Sequence, residues 1–133
     1  MCRALIAEDN PTFRKMLREV LCSRFPTMDI AEEPDGSRIF SQIETFRPEI
    51  IFIDIHLPGE SGLELTKKIK RSYPDIIVII LTNYDLPEYR QAAIRNKANY
   101  FITKDSSASD FLALVESICL SKKRDPSRQK EFS

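Results

Sequence analysis

Two stretches of this chain, IIFI at 50–53 and IIVIIL at 76–81, are apolar at every position instead of at every other one. A strand with one wet face alternates, whereas a strand covered on both faces does not, and a parallel sheet between two layers of helices is the common way to cover both. Three further short apolar runs, Ala4–Ala7, Met28–Ala31 and Tyr100–Ile102, fit the same role. The segments between the runs carry helical spacing. Asn10-Pro11 reads as an N-cap with proline in the first turn, and Phe13, Met16, Leu17, Val20 and Leu21 follow on one face. Ile39, Ile43 and Phe46 repeat the pattern, as do Leu65 and Ile69. Pro87 opens a fourth helix through Ile94, and the capping-box form SASD at 107–110 precedes Phe111, Leu114, Val115 and Ile118.

The order is therefore βαβαβαβαβα, which predicts an α/β fold: a doubly wound parallel sheet. Right-handed crossovers leave few arrangements, and five such units favour the flavodoxin-like (βα)5 strand order 2-1-3-4-5. A length of 133 residues gives one domain with a real core, expected over 1–121. After Cys119 the chain turns polar, and 122–133 read as a tail or the start of a linker. Lys and Arg total 20 against 20 for Asp and Glu, so no bulk basic field exists for direct nucleic-acid binding by this chain. The longest apolar run is too short to span a bilayer, and the N-terminal MCRALIAED lacks the pattern of a signal peptide. The three cysteines, Cys2, Cys22 and Cys119, have neither zinc-site nor disulfide-framework spacing. A reducing cytoplasm is expected, with all three structural and Cys22 and Cys119 as core or near-core thiols.

In an open parallel sheet, ligands bind outside the carboxyl ends of the strands. The first strand ends on Glu8-Asp9, the third on Asp54, the fourth on Thr82 and the fifth, after Thr103, on Lys104. Each residue alone reads as a cap or turn, but the proposed order brings them to one rim. Three carboxylates there repel one another, and one lysine cannot neutralise them. A hard divalent cation such as Mg²⁺ would. Asp54, at mid-sheet, can then attack a phosphoryl group as a carboxylate nucleophile, with Lys104 and Thr82 on the phosphoryl oxygens.

These residues, with Leu57-Pro58-Gly59 after Asp54 and Asp105 after Lys104, resemble the receiver domain of two-component response regulators from about Arg3 to Leu120. The resemblance implies phosphotransfer from a histidine kinase or a phosphotransfer protein onto Asp54. It implies Mg²⁺ held by Glu8, Asp9, Asp54 and the main-chain carbonyl of His56. Phe101 stands at the family's aromatic switch position. His56 and Tyr84 stand at the positions that tune phosphoryl lifetime, and Asn83 is larger than the residue usual after the threonine. Lys97 stands where glycine is usual, so the approach to the fifth strand is expected to differ. The stretch LTNYDLPEYRQAAIRNKANYFITKDSS is similar to the subgroup whose receivers precede a helix-turn-helix output domain.

The expectation is a cytoplasmic signal receiver, stand-alone or part of a transcription regulator. It would catalyse only its own phosphorylation and dephosphorylation. Phosphorylation would change the partner or homodimer preference of the face formed by the fourth helix, fifth strand and fifth helix. Three rivals stay open. A phosphorylation-independent pseudo-receiver would keep the pocket for binding alone. An aspartyl-nucleophile hydrolase of the haloacid-dehalogenase-like kind needs a second Asp where His56 stands. A flavodoxin-type carrier needs a phosphate loop where EDNPTF stands.

Overall fold

A computed structural model describes residues 2–123. The elements run β1 (Arg3–Ala7), α1 (Pro11–Arg24), β2 (Asp29–Glu33), α2 (Ile39–Phe46), β3 (Ile50–Ile53), α3 (Gly62–Ser72), β4 (Ile77–Thr82), α4 (Pro87–Arg95), β5 (Tyr100–Thr103) and α5 (Ala108–Lys123). The strands form one parallel sheet in the order β2-β1-β3-β4-β5, as the alternation of elements predicts.

The uniformly apolar strands feed two cores. Leu5, Ala7, Ile51, Ile53, Val78 and Ile80 pack with Ile39 and Ile43 of α2, Leu65 and Ile69 of α3, and Ala93 of α4. Their chain neighbours Ala4, Ile6, Ile50, Phe52, Ile79 and Leu81 face the other way, onto Leu17 and Leu21 of α1 and Phe111, Val115 and Ile118 of α5. The period-two alternation of a strand is thus present, but both of its faces are dry.

Local chemistry sets the helix ends. The Asn10 side chain accepts the backbone N–H groups of Thr12 and Phe13 at 2.9 and 3.1 Å, satisfying donors that the helix leaves open. Ser61 accepts the N–H of Leu63 at the start of α3, and Ser107 that of Asp110 at the start of α5.

Several expectations need correction. β2 starts one residue and ends two residues later than its apolar run, on the buried Glu33, whose carboxylate accepts from Gln42 of α2 at 2.8 Å. Met16 is 45 % exposed at the edge of the α1 stripe. Lys97 adopts the left-handed conformation itself, at φ 66°, so the turn into β5 keeps the hand that glycine would give. The cysteines differ most. Cys22 is exposed, because it stands one position, about 100° of helix, beyond the buried Leu21. Cys2 and Cys119, 117 residues apart, are joined in a disulfide with a Cα–Cα distance of 5.8 Å. Packing α5 across the start of β1 brings them together, and no local spacing records that. The helix of α5 continues through the expected tail boundary to Lys123; 124–133 lie outside the described residues.

Candidate functional site

Glu8, Asp54 and Lys104 each stand one position beyond a strand, and the neighbouring strand fixes each one. Glu8 donates its N–H to the Glu33 carbonyl of β2 at 3.0 Å. Asp54 donates to the Ala7 carbonyl of β1 at 3.1 Å, and Lys104 to the Thr82 carbonyl of β4 at 2.8 Å. The sheet ladder therefore aims these side chains before they interact with one another. Gly62 completes the support of Asp54. A methyl group on its α-carbon would lie 2.0 Å from the Asp54 carbonyl oxygen, so only glycine lets α3 begin against that backbone.

The side chains converge. Lys104 Nζ lies 2.8 Å from Glu8 Oε1 and 3.2 Å from Asp54 Oδ2, with the lysine and both acids largely buried. The ammonium also sits 4.4 Å from the centre of the Phe13 ring, a cation–π contact that limits its swing. Glu8 Oε2 accepts the N–H of Asn10 at 3.0 Å, and Asp54 Oδ1 accepts the N–H of His56 at 3.3 Å. Burial is the chief cause that raises the Glu8 carboxyl above its ordinary range, and the Asp54 charge adds to it. The hydrogen bonds from Lys104 and Asn10 oppose the rise without cancelling it. Burial pulls the Lys104 ammonium down, but its bond to Glu8 and the charge of Asp54 outweigh that and leave it raised.

Asp9 is exposed, yet one oxygen from each of Glu8, Asp9 and Asp54 lies within 4.8 Å of the others. All three line one open pocket with Asn10, His56, Asn83, Tyr84 and Lys104. Hard oxygen donors at this separation, with one ammonium among them, suit a small divalent cation. Thr82 is fully buried beneath the rim, its hydroxyl accepting the Tyr84 N–H at 3.2 Å. The His56 ring meets Tyr84 edge-on at 4.9 Å and Tyr89 at 5.8 Å, forming an aromatic wall. Phe101 is half-buried away from the pocket mouth, packed on the α2–α4 core, with the Arg90 guanidinium 4.7 Å from its ring centre.

All the residues read from the sequence except Phe101 therefore meet around one opening or directly under it. Phe13, Gly62 and Tyr89 were missed. Phe13 read as core because it lies on the α1 stripe. Tyr89 and Gly62 carry no local pattern that marks them for the site.

Comparison with known proteins agrees with this geometry. A family model, "Response regulator receiver domain", matches residues 4–116. The oxygen regulatory protein NreC of Staphylococcus haemolyticus is 30 % identical over 117 residues, covering 87 % of this chain and 54 % of that protein. The transcriptional regulatory protein DegU of Brevibacillus brevis is 26 % identical over 114 residues, covering 86 % of this chain and 47 % of that protein. The chain thus spans about half the length of the curated relatives it matches. Among solved structures, a DNA-binding response regulator of the LuxR family from Staphylococcus aureus superposes with a TM-score of 0.81 at 25 % identity, covering 89 % of this chain and 98 % of that one. A CheY-like receiver domain protein from Methanospirillum hungatei gives 0.82 at 22 % identity, covering 92 % and 98 %, a likeness of fold. Among the described residues no helix is long and apolar enough to cross a membrane. With the family model covering nearly all of the described residues, this chain belongs to the response regulator receiver domain family.

Proposed function

We propose that Asp54 accepts a phosphoryl group from a histidine kinase or a phosphotransfer protein, and that the change at the strand ends alters the partner preference of the α4-β5-α5 face. The observation that carries this reading is the convergence of Glu8, Asp54 and Lys104 within salt-bridge distance at the ends of β1, β3 and β5. A buried cluster with more carboxylates than cations is unfavourable as mere structure, and it suits a site that works with an added cation and an anionic substrate.

Asp54 would attack phosphorus with one carboxylate oxygen. The new O–P bond forms as the bond from phosphorus to the donor nitrogen breaks, and the imidazole leaves with that electron pair. Lys104 holds an oxygen of the transferring group, its direction set by Phe13 and by the β4 ladder. Thr82 turns its hydroxyl from the Tyr84 N–H toward another oxygen. Glu8, Asp9, Asp54 and the main-chain carbonyl of His56 would hold Mg²⁺. When bound, the ion supplies positive charge that offsets the carboxylates and the phosphoryl oxygens. His56 and Tyr84, with Asn83 on the rim, wall the opening and restrict the approach of hydrolytic water.

For the output, the face already carries the apolar groups that a partner would cover: Ile94 is 74 % exposed, and Leu86 and Tyr100 about 40 %. Phe101, under Arg90, moves with Thr82 when the phosphoryl group arrives. In this reading the receiver extends through α5 to Lys123. The protein acts in the cytoplasm as a stand-alone receiver or as part of a DNA-binding regulator that can dimerise when phosphorylated.

The test is intact-protein mass after incubation with acetyl phosphate and Mg²⁺. One added phosphoryl group, lost in Asp54→Asn and lost without Mg²⁺, is the expected result. Labelling of Asp54→Asn equal to the parent refutes Asp54 as acceptor. No labelling by acetyl phosphate or by any histidine-phosphorylated donor returns the pocket to phosphorylation-independent binding.

A further inference from the structure

The disulfide joins two parts of the chain that signalling would treat separately. Cys2 leads into β1 and is 9 % exposed. Cys119 sits near the end of α5, the helix that follows Lys104 and closes the proposed output face. Their Cα atoms, 5.8 Å apart, lie in the range that a disulfide spans without backbone movement. Packing on either side holds this spacing: Val115 and Ile118 of α5 share a core with Cys2 and Ala4. Arg24 of α1 bonds Glu116 at 2.8 Å, and Lys122 reaches the Asp75 carbonyl. The two thiols would therefore stay adjacent with the bond open.

The bond is also within reach of solvent. A surface cavity of about 160 Å³, lined by Phe25, Thr27, Met28 and Leu120, opens onto both cysteines, and Glu116 with its partner Arg24 stands at the polar side. It has room for a thiol-bearing small molecule to bring sulfur against sulfur. Where thiols are kept reduced, disulfides that do form are usually transient and redox-sensing.

We propose that Cys2 and Cys119 form a reversible thiol–disulfide exchange site whose substrate is a low-molecular-weight thiol/disulfide couple of the glutathione class. Its oxidation state decides whether the last turns of α5 are tied covalently to the sheet. In the oxidising direction Cys119, the more exposed thiol, loses its proton and attacks one sulfur of the small disulfide. A Cys119–small-molecule bond forms, and one small thiolate leaves and takes up a proton. Cys2, deprotonated in turn, attacks Cys119 Sγ, and the second small thiolate leaves. Two protein thiols are oxidised to one disulfide, and one small disulfide is reduced to two thiols. Phosphotransfer takes no part in this chemistry, so the site stands apart from the function proposed for Asp54.

The experiment uses the full chain carrying Cys22→Ser, equilibrated in glutathione buffers of graded ratio, quenched with acid and weighed intact. The expected result is a species lighter by two hydrogens in oxidising buffer that returns to the dithiol in reducing buffer. Amide exchange at the end of α5 is expected to be slower in the oxidised form. Adding Cys2→Ser should trap one glutathione on Cys119. Adding Cys119→Ser instead should leave the buried Cys2 mostly unmodified. Two glutathione adducts with no internal disulfide would overturn the proposal. So would a disulfide that excess reduced glutathione leaves intact in the folded protein, or equal α5 exchange in the two states.

Discussion

Replacing Lys97 with glycine should give a more stable protein than replacing it with alanine. α4 ends in a complete Schellman arrangement: the Lys97 N–H reaches the Ile94 carbonyl and the Ala98 N–H the Ala93 carbonyl, each at 3.0 Å. The geometry requires a left-handed residue at position 97, and Lys97 provides it at φ 66°. An L-residue pays about 1–2 kcal/mol for that conformation because its β-carbon crowds the next carbonyl. Glycine avoids the crowding but has more freedom to lose from the unfolded chain, which returns roughly 0.4–1 kcal/mol. The Lys97 charge also lies at a helix C-terminus, where a cation is worth about 0.3–1 kcal/mol, and any neutral residue forfeits this. Lys97→Ala therefore serves as the reference, since it loses the charge and keeps the strain. Lys97→Gly should exceed Lys97→Ala by about 1 kcal/mol, or roughly 3–4 °C in Tm for a domain of this size. Urea denaturation of the three proteins, with m-values compared, reads this directly. A glycine variant no more stable than the alanine variant would show that the left-handed turn carries no strain, and the reasoning would fail.

Other perturbations probe the pocket. Burial raises the Glu8 carboxyl, so between its ordinary value of 4.5 and its raised value the folded state binds more protons than the unfolded state. That group's contribution is most favourable at low pH and declines as pH rises through the window. Glu8→Gln should flatten the decline, and thermal melts in chelator across that range would expose an unchanged slope as a contradiction. Gly62→Ala drives a methyl onto the Asp54 carbonyl. It should cost about 3 kcal/mol by overpacking and slow acetyl phosphate labelling more than a surface alanine substitution of equal stability cost. His56→Ala and Tyr84→Ala open the aromatic wall, so a phosphorylated form should lose its label faster in each; unchanged lifetimes in both would remove the wall from the account.

What the sequence revealed follows from the range of the interactions. The central strands could be read because burial on both faces leaves a local mark, an unbroken apolar run such as that of β3. Glu8, Asp54 and Lys104 could be read because parallel strands put all their carboxyl ends on one rim, so strand order alone assembles the pocket. The features that stayed hidden depend on contacts between distant elements or on one backbone angle. Nothing near Cys2 points to Cys119, and nothing in Lys97 announces a positive φ. Phe13 satisfies the apolar stripe of α1 whether or not an ammonium rests on its ring. The end of β2 was misplaced because Glu32 and Glu33 look like a loop until Gln42 of α2 and Arg14 and Arg18 of α1 supply their partners.

The arrangement of charge in the pocket bears on how a signal would leave it. Lys104 is shared between Glu8 and Asp54, and the cation–π contact with Phe13 ties the same ammonium to α1. A phosphoryl group on Asp54 would place about 1.5–2 negative charges where the carboxylate carried one, farther out into the pocket, and draw the ammonium toward its oxygens. Glu8 would then keep only the Asn10 N–H on its side chain while remaining almost wholly buried, a costly state without a second cation. In the proposed reading, a divalent ion at the acids and a movement of Lys104 would answer one electrostatic problem. Because the Lys104 backbone N–H is bonded to the Thr82 carbonyl, a displacement of Lys104 would pull on the end of β4. The Thr82 hydroxyl is at present committed to the first turn leading into α4 through the Tyr84 N–H. Releasing that bond frees the segment that carries Tyr84, Leu86 and Tyr89. In the proposed reading, a charge change at Asp54 would reach the exposed apolar face by breaking the one short-range hydrogen bond between Thr82 and Tyr84.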